Sequence, residues 1–316
     1  MTELHVSAII TAYNSEAFIA EAISSVLKQS RPVDEIVVVD DGSTDGTAAV
    51  VARFSDKGVR YVYQDNQGPS VARNRGIRET SGNLLAFLDA DDTWLENKNQ
   101  IQVDYLSSHP QVVMVSGLRW EWYVREDVRS VSDRIPKNSA FLRQEIVIYN
   151  MVGNPSMVTM RREAIEHVGL FDPTIRWGQD WEMWIRIVSR FEVTILPEPV
   201  IVYRIHTKNH SYTKRRELMN SYLNISQRAI QTSQPHWRRP LLMVRSWSHF
   251  AHELALDAEE NGNSRWHQIV YSGIAFILYP WDRGWDKFNT LVHSFLGART
   301  YQNAKRVFRY LKRIRG

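Results

Sequence analysis

The sequence predicts an α/β fold: a mostly parallel, doubly wound sheet flanked by helices and followed by a helical C-terminal region. Three observations predict it. Runs rich in β-branched residues alternate with segments whose apolar residues recur at helical spacing, as expected for a parallel sheet. Polar clusters follow three of these runs, where sheets of this type bind ligands. From residue 214 onward the pattern is mostly helical.

The first 115 residues carry the alternation of strands and helices. Strands are predicted at 5–10, 35–43, 60–65 and 83–91. Helices are predicted at 18–27, 69–80 and 94–107. Pro69 is suited to open the second of these helices. Thr93 and Glu96 have the spacing of a capping box ahead of the third.

The pattern is looser between residues 116 and 213. It predicts a strand with an aromatic loop at 116–126, a short strand at 153–160 and a helix at 180–188. Two short strands broken at Pro197 and Pro199 are expected before residue 206. We therefore predict a domain at 1–213, made of halves 1–115 and 116–213, and a helical region at 214–316.

Composition bounds the class of protein. The 316 residues include no cysteine, which excludes disulfides, a thiolate metal site and a cysteine nucleophile. No signal peptide or membrane-spanning segment is predicted, so we expect a cytoplasmic protein. Residues 1–213 hold 22 basic and 28 acidic side chains, whereas 214–316 hold 17 and 7. A basic tail favours an anionic partner.

Three carboxylates lie at the end of the predicted strand at 83–91. Asp89, Asp91 and Asp92 need solvent or a cation to ionise at close range. Helix capping is the structural alternative, but the Thr93–Glu96 box already fills that role and leaves Asp89 and Asp91 available. Oxygen ligands at a strand's carboxyl end suit Mg²⁺ or Mn²⁺ with substrate phosphates completing the coordination. The cluster therefore favours a metal–diphosphate site.

Other motifs allow both structural and functional interpretations. Asp40 and Asp41 follow a strand and are typical of a turn, or they hydrogen-bond a base or ribose. Arg73 lies early in a helix, where anions are favoured. Asp180 is either an N-cap or a general base, and the neighbouring tryptophans are expected in the core. A structural or exposed role is favoured for His206.

Five segments in this order and spacing carry a family resemblance. They are "VSAIITAYN", "VVVDDGSTDGT", "GPSVARNRGI", "FLDADD" and "WGQDWEMWIR". Together they closely resemble glycosyltransferase family 2, the inverting enzymes of GT-A fold, of the bacterial cell-surface polysaccharide type. The resemblance covers about residues 4–212.

The resemblance implies a role for each matching residue. The residues that it places at the nucleotide-sugar are Thr11, Ala12, Tyr13, Asn14, Asp40, Asp41, Arg73, Asp89 and Ala90. It implies that Asp91 and His206 hold a divalent cation, Mn²⁺ or Mg²⁺, and that Asp180 is the catalytic base. The sequence departs from the family at Thr11, where Pro is frequent, and at Gln179, where Glu is usual.

The function expected from this resemblance is transfer of a sugar from a UDP-linked donor to a glycan or lipid-linked acceptor. A nucleotidyltransferase and a non-catalytic nucleotide-sugar-binding subunit are the alternatives. Residues 305–316 contain six basic residues and no acidic one, with apolar residues at helical spacing from 304 to 314. This pattern predicts peripheral contact with an anionic membrane, and no nucleic acid is expected as a partner.

Overall fold

The computed structural model describes residues 3–123, 128–131, 135–205, 215–260 and 265–278. The chain forms two compact units, Met1–Asn209 and His210–Gly316. Residue 206 and the predicted amphipathic segment at 304–314 lie outside the described residues.

The first unit is built on one sheet, to which nine described strands contribute. They are β1 (Val6–Ala12), β2 (Glu35–Asp41), β3 (Val59–Gln64), β4 (Leu84–Asp89), β5 (Thr93–Trp94), β6 (Val112–Tyr123), β7 (Val128–Val131), β8 (Thr159–Arg161) and β9 (Glu192–Ile205). Their spatial order is β3-β2-β1-β4-β8-β6-β9-β5, and β7 pairs with β6. The strands from β3 to β4 in this order are parallel, as predicted. β8 is antiparallel to both neighbours and begins the mixed part of the sheet.

Seven α-helices are described in this unit. They are α1 (Ile19–Leu27), α2 (Thr47–Ala52), α3 (Pro69–Glu79), α4 (Lys98–Ser108), α5 (Ser139–Glu145), α6 (Arg162–Val168) and α7 (Gln179–Arg190). The strands and helices predicted before residue 90 agree closely with β1 to β4, α1 and α3.

The centre of the sheet is apolar on both faces. Ile9 and Ile10 of β1 are fully buried although they point to opposite faces. The face that holds Ile10 shares a core with the apolar side of α1. On the other face α3 approaches so closely that a Cβ added at Gly76 would overlap the Cγ2 methyl of Ile9. Both faces are therefore covered by helices.

β9 is one long strand, so the prediction of two short strands is wrong. It runs parallel to β6 past both prolines, and the register jumps between Ser116 and Leu118. Pro197 lies in this irregular stretch, and Pro199 stands opposite Leu118, between this shift and a second one before Arg119. Proline is tolerated at a bulge because no ladder hydrogen bond is required there.

The predicted capping box is also wrong. Thr93 and Trp94 form β5, which pairs antiparallel with Val202 and Ile201 of β9. α4 begins only at Lys98 and has Asn97 at its N-cap position. The S/T-x-x-E spacing had no helix to cap because strand pairing holds its first residue.

The second unit contains three described helices. They are α8 (Arg215–Ser233), α9 (Arg239–Glu260) and α10 (Arg265–Leu278). Hydroxyl groups join them: the Ser226 and Ser246 oxygens are 2.7 Å apart, and Ser248 Oγ donates to the carbonyl of Ala275 at 2.7 Å. Among the described residues, no helix combines the length and apolarity that a membrane crossing requires.

Candidate active site at the carboxyl ends of the parallel strands

The polar clusters predicted from sequence meet at one edge of the sheet. β1 lies between β2 and β4, and its last residues fix the alignment of both neighbours. Thr11 stands opposite Asp89 of β4, and Ala12 stands opposite Asp40 of β2. Because these strands are parallel, the side chains that follow them line a single crevice, which is where such sheets bind ligands.

An ion pair lies at the centre of this edge. Arg73 Nη2 donates to Asp89 Oδ1 at 2.7 Å, and Thr11 Oγ1 donates to the same oxygen at 3.3 Å. The Asp89 amide donates to Ser156 Oγ at 3.0 Å. α3 brings the arginine and β4 brings the carboxylate, so the pair joins a helix to the strand end.

Arg73 is almost fully buried. Its guanidinium carbon lies 5.7 Å from the centre of the Phe171 ring. Nε and Nη1 are also buried, and neither hydrogen-bonds to any residue that the structure describes. A buried donor without an acceptor costs about 1–3 kcal/mol, so these two groups are available for an anionic ligand.

Asp180 lies in the first turn of α7, within electrostatic reach of the same pair. Gly178, with φ of 78°, occupies the N-cap position, so the N-cap interpretation of Asp180 is wrong. Asp180 Oδ1 accepts from the amide of Trp181 at 2.8 Å. Burial raises the pKa of the Asp180 carboxyl and the charge of Asp89 raises it further, whereas the Arg73 guanidinium and the Trp181 amide oppose both effects.

The tryptophans of α7 hold this helix in place. Trp181 and Trp184 are buried, as predicted for core residues. Trp181 Nε1 donates to the carbonyl of Ile146 at 2.6 Å, and Trp184 Nε1 donates to the carbonyl of Gly153 at 2.9 Å. Their indoles anchor the first two turns of α7 and therefore the position of Asp180.

Gln179 precedes Asp180 and carries a polar atom without a visible role. Its Oε1 is buried and accepts no hydrogen bond from the residues that the structure describes. The amide contributes no charge beside the carboxylate, unlike the glutamate usual at this position.

Asp92 has a structural role that sequence analysis missed. It is buried, and its Oδ2 accepts from Asn154 Nδ2 at 2.8 Å and from Ser156 Oγ at 2.7 Å. Burial raises the pKa of Asp92 well above the usual value, and the charges of Asp91 and Asp89 add to this effect. The Asn-Pro pair at 154–155 marks a turn, but nothing in the sequence places that turn beside the acidic cluster.

The two aspartates that end β2 are buried and accept hydrogen bonds from the segments that follow β2 and β3. Asp40 accepts from the amide of Ser43 at 2.8 Å and from the Tyr61 hydroxyl at 2.7 Å. Asp41 accepts at 2.7–2.9 Å from the Gln64 side chain and from the amides of Gln67 and Gly68. The turn interpretation therefore accounts for their present contacts, and contact with a base stays a prediction.

The residues after β1 form a tight loop at the same edge. Ala12 is buried, whereas Tyr13 is half exposed. Asn14 has φ of 48°, an uncommon conformation for a residue other than glycine, and its Oδ1 accepts from the amide of Thr44 at 2.9 Å. Its own amide donates to Ser43 at 2.8 Å. The loops after β1 and β2 are therefore joined, and Tyr13 faces solvent beside them.

The predicted metal ligands are described only in part. Asp91 is half-buried in the turn after β4, beside the buried Ala90, and His206 lies outside the described residues. Within the described part of the chain, no three histidine, aspartate or glutamate side chains are grouped to hold a metal ion. A protein site of few carboxylates still suits Mg²⁺ or Mn²⁺ when substrate phosphates and water complete the coordination.

The sequence of this chain matches the model of glycosyl transferase family 2 over residues 7–169. That match covers about half of the chain, and the chain belongs to this family. An uncharacterized glycosyltransferase of Nostoc is 32% identical over 222 residues, covering 66% of each protein. An Escherichia coli enzyme named UDP-Glc:alpha-D-GlcNAc-diphosphoundecaprenol beta-1,3-glucosyltransferase is 39% identical over 107 residues, covering 34% of this chain and 42% of that protein.

Solved structures share the GT-A fold. TarS 1–349 of Staphylococcus aureus, solved with UDP-GlcNAc, has a TM-score of 0.66 at 16% identity and covers 93% of this chain and 92% of that one. The mannosyltransferase PcManGT of Pyrobaculum calidifontis, solved with GDP-Man and Mn²⁺, has a TM-score of 0.61 at 22% identity, covering 93% and 87%. The chain spans about a third of the length of several matching relatives, for example 32% of a Rickettsia bellii glycosyltransferase.

Proposed function

We propose that this chain is an inverting glycosyltransferase that moves a sugar from a UDP-linked donor to a hydroxyl group of a glycan or lipid-linked acceptor. The observation that carries the proposal is the constellation of Arg73, Asp89 and Asp180 at the carboxyl ends of the parallel strands. Family membership supports the reaction class. The name of the Escherichia coli relative supports a UDP-sugar and a diphospholipid-linked acceptor.

The donor is proposed to lie along the edge formed by β2, β1 and β4. Tyr13 and Asp41 contact the base, with Thr11, Ala12, Asn14 and Asp40 shaping that end of the crevice. Asp89 and Ala90 lie at the ribose. The two unsatisfied donors of Arg73 then have an acceptor in the nucleotide's phosphate oxygens.

Asp180 is proposed to take the proton from the acceptor hydroxyl as that oxygen attacks the anomeric carbon. A raised pKa brings a carboxylate closer to the working pH and makes it a better base. The bond between the anomeric carbon and the diphosphate oxygen breaks as the new glycosidic bond forms, and the nucleoside diphosphate leaves. A single displacement inverts the configuration.

A divalent cation fits the acidic turn. Asp91, with Asp89 beside it, provides the hard oxygen atoms that Mg²⁺ and Mn²⁺ prefer, and we propose His206 as a further ligand. Burial is the main cause of the raised pKa of Asp92, and the charges of Asp91 and Asp89 add to it; a cation bound at this turn relieves the repulsion among these carboxylates. When bound, the cation stabilises negative charge on the leaving diphosphate.

The test is release of UDP from UDP-glucose and UDP-GlcNAc by the full chain, with and without Mn²⁺. Asp180→Asn is expected to lower the rate at least about 100-fold, since loss of a general base costs about 10²–10⁴-fold. Binding of UDP is expected to persist in this variant. Glu163→Gln, which removes an exposed carboxylate from α6, is the matched control and is expected to retain the wild-type rate.

Other outcomes identify other functions. Pyrophosphate as the product would indicate a nucleotidyltransferase. Binding of UDP-sugar without any turnover, for the wild type and Asp180→Asn alike, would indicate a non-catalytic binding subunit. Full activity of Asp180→Asn would overturn the assignment of the base.

A further inference from the structure

An exposed apolar strip lies at the start of α9 in the second unit. Its four members are Trp237, Leu241, Val244 and Trp247, with exposed fractions of 75%, 55%, 37% and 49%. Leu241, Val244 and Trp247 are three residues apart and lie on one side of α9, and Trp237 lies in the turn just before the helix. Leu242 and Ser246 on the other side are buried. We call these four residues the Trp237–Trp247 strip.

Basic residues accompany the strip, and acidic residues do not. Arg238, Arg239 and Arg245 lie within residues 236–252, a segment without aspartate or glutamate. The guanidinium carbon of Arg238 lies 4.8 Å from the centre of the Trp237 ring. Contiguous exposed apolar surface indicates an interaction site, and the charge here selects an anionic partner.

The composition fits a lipid surface better than a protein surface. Tryptophan is enriched at membrane–water interfaces, and a helix with aromatic and aliphatic residues next to arginines lies in the interface plane. α9 does not meet the requirements for crossing a bilayer. A second copy of this chain would bring together two regions with 17 basic and 7 acidic side chains each, which disfavours self-association.

We propose that the Trp237–Trp247 strip docks on an anionic lipid bilayer. The tryptophans and Leu241 enter the boundary between headgroups and acyl chains, and the arginines pair with lipid phosphates. This surface is distinct from the basic segment at 305–316, and the proposal does not depend on which reaction the first unit catalyses.

The experiment is co-sedimentation of the full chain with vesicles of equal parts phosphatidylglycerol and phosphatidylcholine, and with phosphatidylcholine vesicles alone. The wild type is expected to bind the mixed vesicles and to be released by high salt. The double variant Trp237→Ser, Trp247→Ser is expected to lose at least about tenfold in affinity for the vesicles, because two exposed indoles are no longer available for burial in lipid. Arg238→Gln is expected to weaken binding about fivefold.

Two matched controls locate the effect. Ile277→Ser removes a side chain of α10 that is 79% exposed, and Arg228→Gln removes an exposed arginine of α8. Both are expected to bind vesicles like the wild type. All substituted side chains are partly or fully exposed, and unchanged melting temperatures verify that each variant folds.

Three results would overturn the proposal. The double variant could bind as well as the wild type, or Ile277→Ser could lose as much binding as the double variant. Alternatively, the wild type could bind neither kind of vesicle, and the double variant could differ from it in mass by size-exclusion chromatography with light scattering. That result would assign the strip to self-association. Release of UDP by the variants, assayed without lipid, tests the reaction separately.

Discussion

Arg73 unites burial, charge and unsatisfied hydrogen-bond donors in one side chain. One nitrogen is paired with Asp89, and two others have no acceptor among the described residues. A planar guanidinium can bind a carboxylate through one nitrogen and still direct its other N–H groups toward an anionic ligand, which a lysine ammonium group cannot do. The ion pair and the ligand contact are therefore separable by substitution.

Arg73→Lys is expected to keep the ion pair and lose the contact with phosphate. The affinity for UDP should fall about tenfold or more, because charge-assisted hydrogen bonds contribute about 1.5–3 kcal/mol. The melting temperature without ligand should change little. Calorimetric titration with UDP and a thermal melt measure the two quantities, and equal affinity of both proteins would contradict the role of Arg73 at the donor.

The pH dependence of activity follows from the position of Asp180. The ionised carboxylate is the proposed base, so activity is lost as the pH falls through its pKa. Burial and Asp89 raise that pKa, so this loss should begin at a higher pH than for an ordinary aspartate with a pKa of about 3.9. Gln179→Glu should move the acidic limb of the pH–rate profile, where activity is lost, to a still higher pH. A second negative charge beside Asp180 disfavours ionisation of its carboxyl group.

The pH–rate profile of kcat for the wild type and Gln179→Glu checks this expectation. Gln179→Leu, which adds no charge, is the matched control and should leave the position of the limb unchanged even if the rate falls. A limb at the same pH in Gln179→Glu and the wild type would show that residue 179 does not act on the base.

Two helical glycines differ in whether the surrounding structure has room for a side chain. At Gly76 of α3, an added Cβ would overlap Ile9 of β1, whereas at Gly273 of α10 it would meet nothing within 4 Å. Both positions have helical backbone, so alanine is intrinsically favoured at each by roughly 0.5–1 kcal/mol. Packing should reverse the sign at Gly76, since overpacking costs about 1–3 kcal/mol.

Gly76→Ala should therefore lower the melting temperature and Gly273→Ala should raise it slightly. Thermal unfolding followed by circular dichroism measures both. Stabilisation by Gly76→Ala would mean that α3 can move away from β1 at little cost.

Local pattern predicted some elements well and failed where distant strands meet. β1 to β4 were readable because continuous apolar runs specify buried parallel strands. β5 was missed because Thr93 and Trp94 become a strand only by pairing with β9, more than 100 residues later. Sequence separations of 62 and 64 residues likewise hid the bonds from Asn154 and Ser156 to Asp92. The sequence could identify the acidic residues but could not assign which of them is structural.

At the scale of the whole molecule, a buried lysine couples stability to pH. Lys98 is fully buried, and its Nζ lies 2.8 Å from Gln102 Oε1, 3.1 Å from Thr159 Oγ1 and 4.2 Å from the centre of the Trp94 ring. Burial lowers its pKa well below the usual value. Between this lowered pKa and about 10.4, the unfolded chain binds more protons than the folded chain, so stability should rise with pH.

Lys98→Met should remove this rise in stability with pH. The difference in free energy of unfolding that favours the variant over the wild type should therefore shrink as the pH increases through that window. Urea unfolding of the full chain at pH 6 and pH 9 gives the two free energies. Lys28→Met, at an exposed position after α1, serves as the control and should keep the wild-type slope. The same slope in Lys98→Met and the wild type would mean that the buried amine keeps its ordinary pKa.

The contacts of Asp41 have a mechanical consequence. Its carboxylate accepts hydrogen bonds from the amides of Gln67 and Gly68, which lead into α3, and Arg73 lies on this helix five residues after Gly68. A displacement of Gln67 and Gly68 at the start of α3 is therefore expected to shift Arg73 on the same helix. A nucleobase that competes for the Asp41 carboxylate oxygens would then change the position of the Arg73 guanidinium. Binding of the base would in this way be coupled to binding of the phosphates.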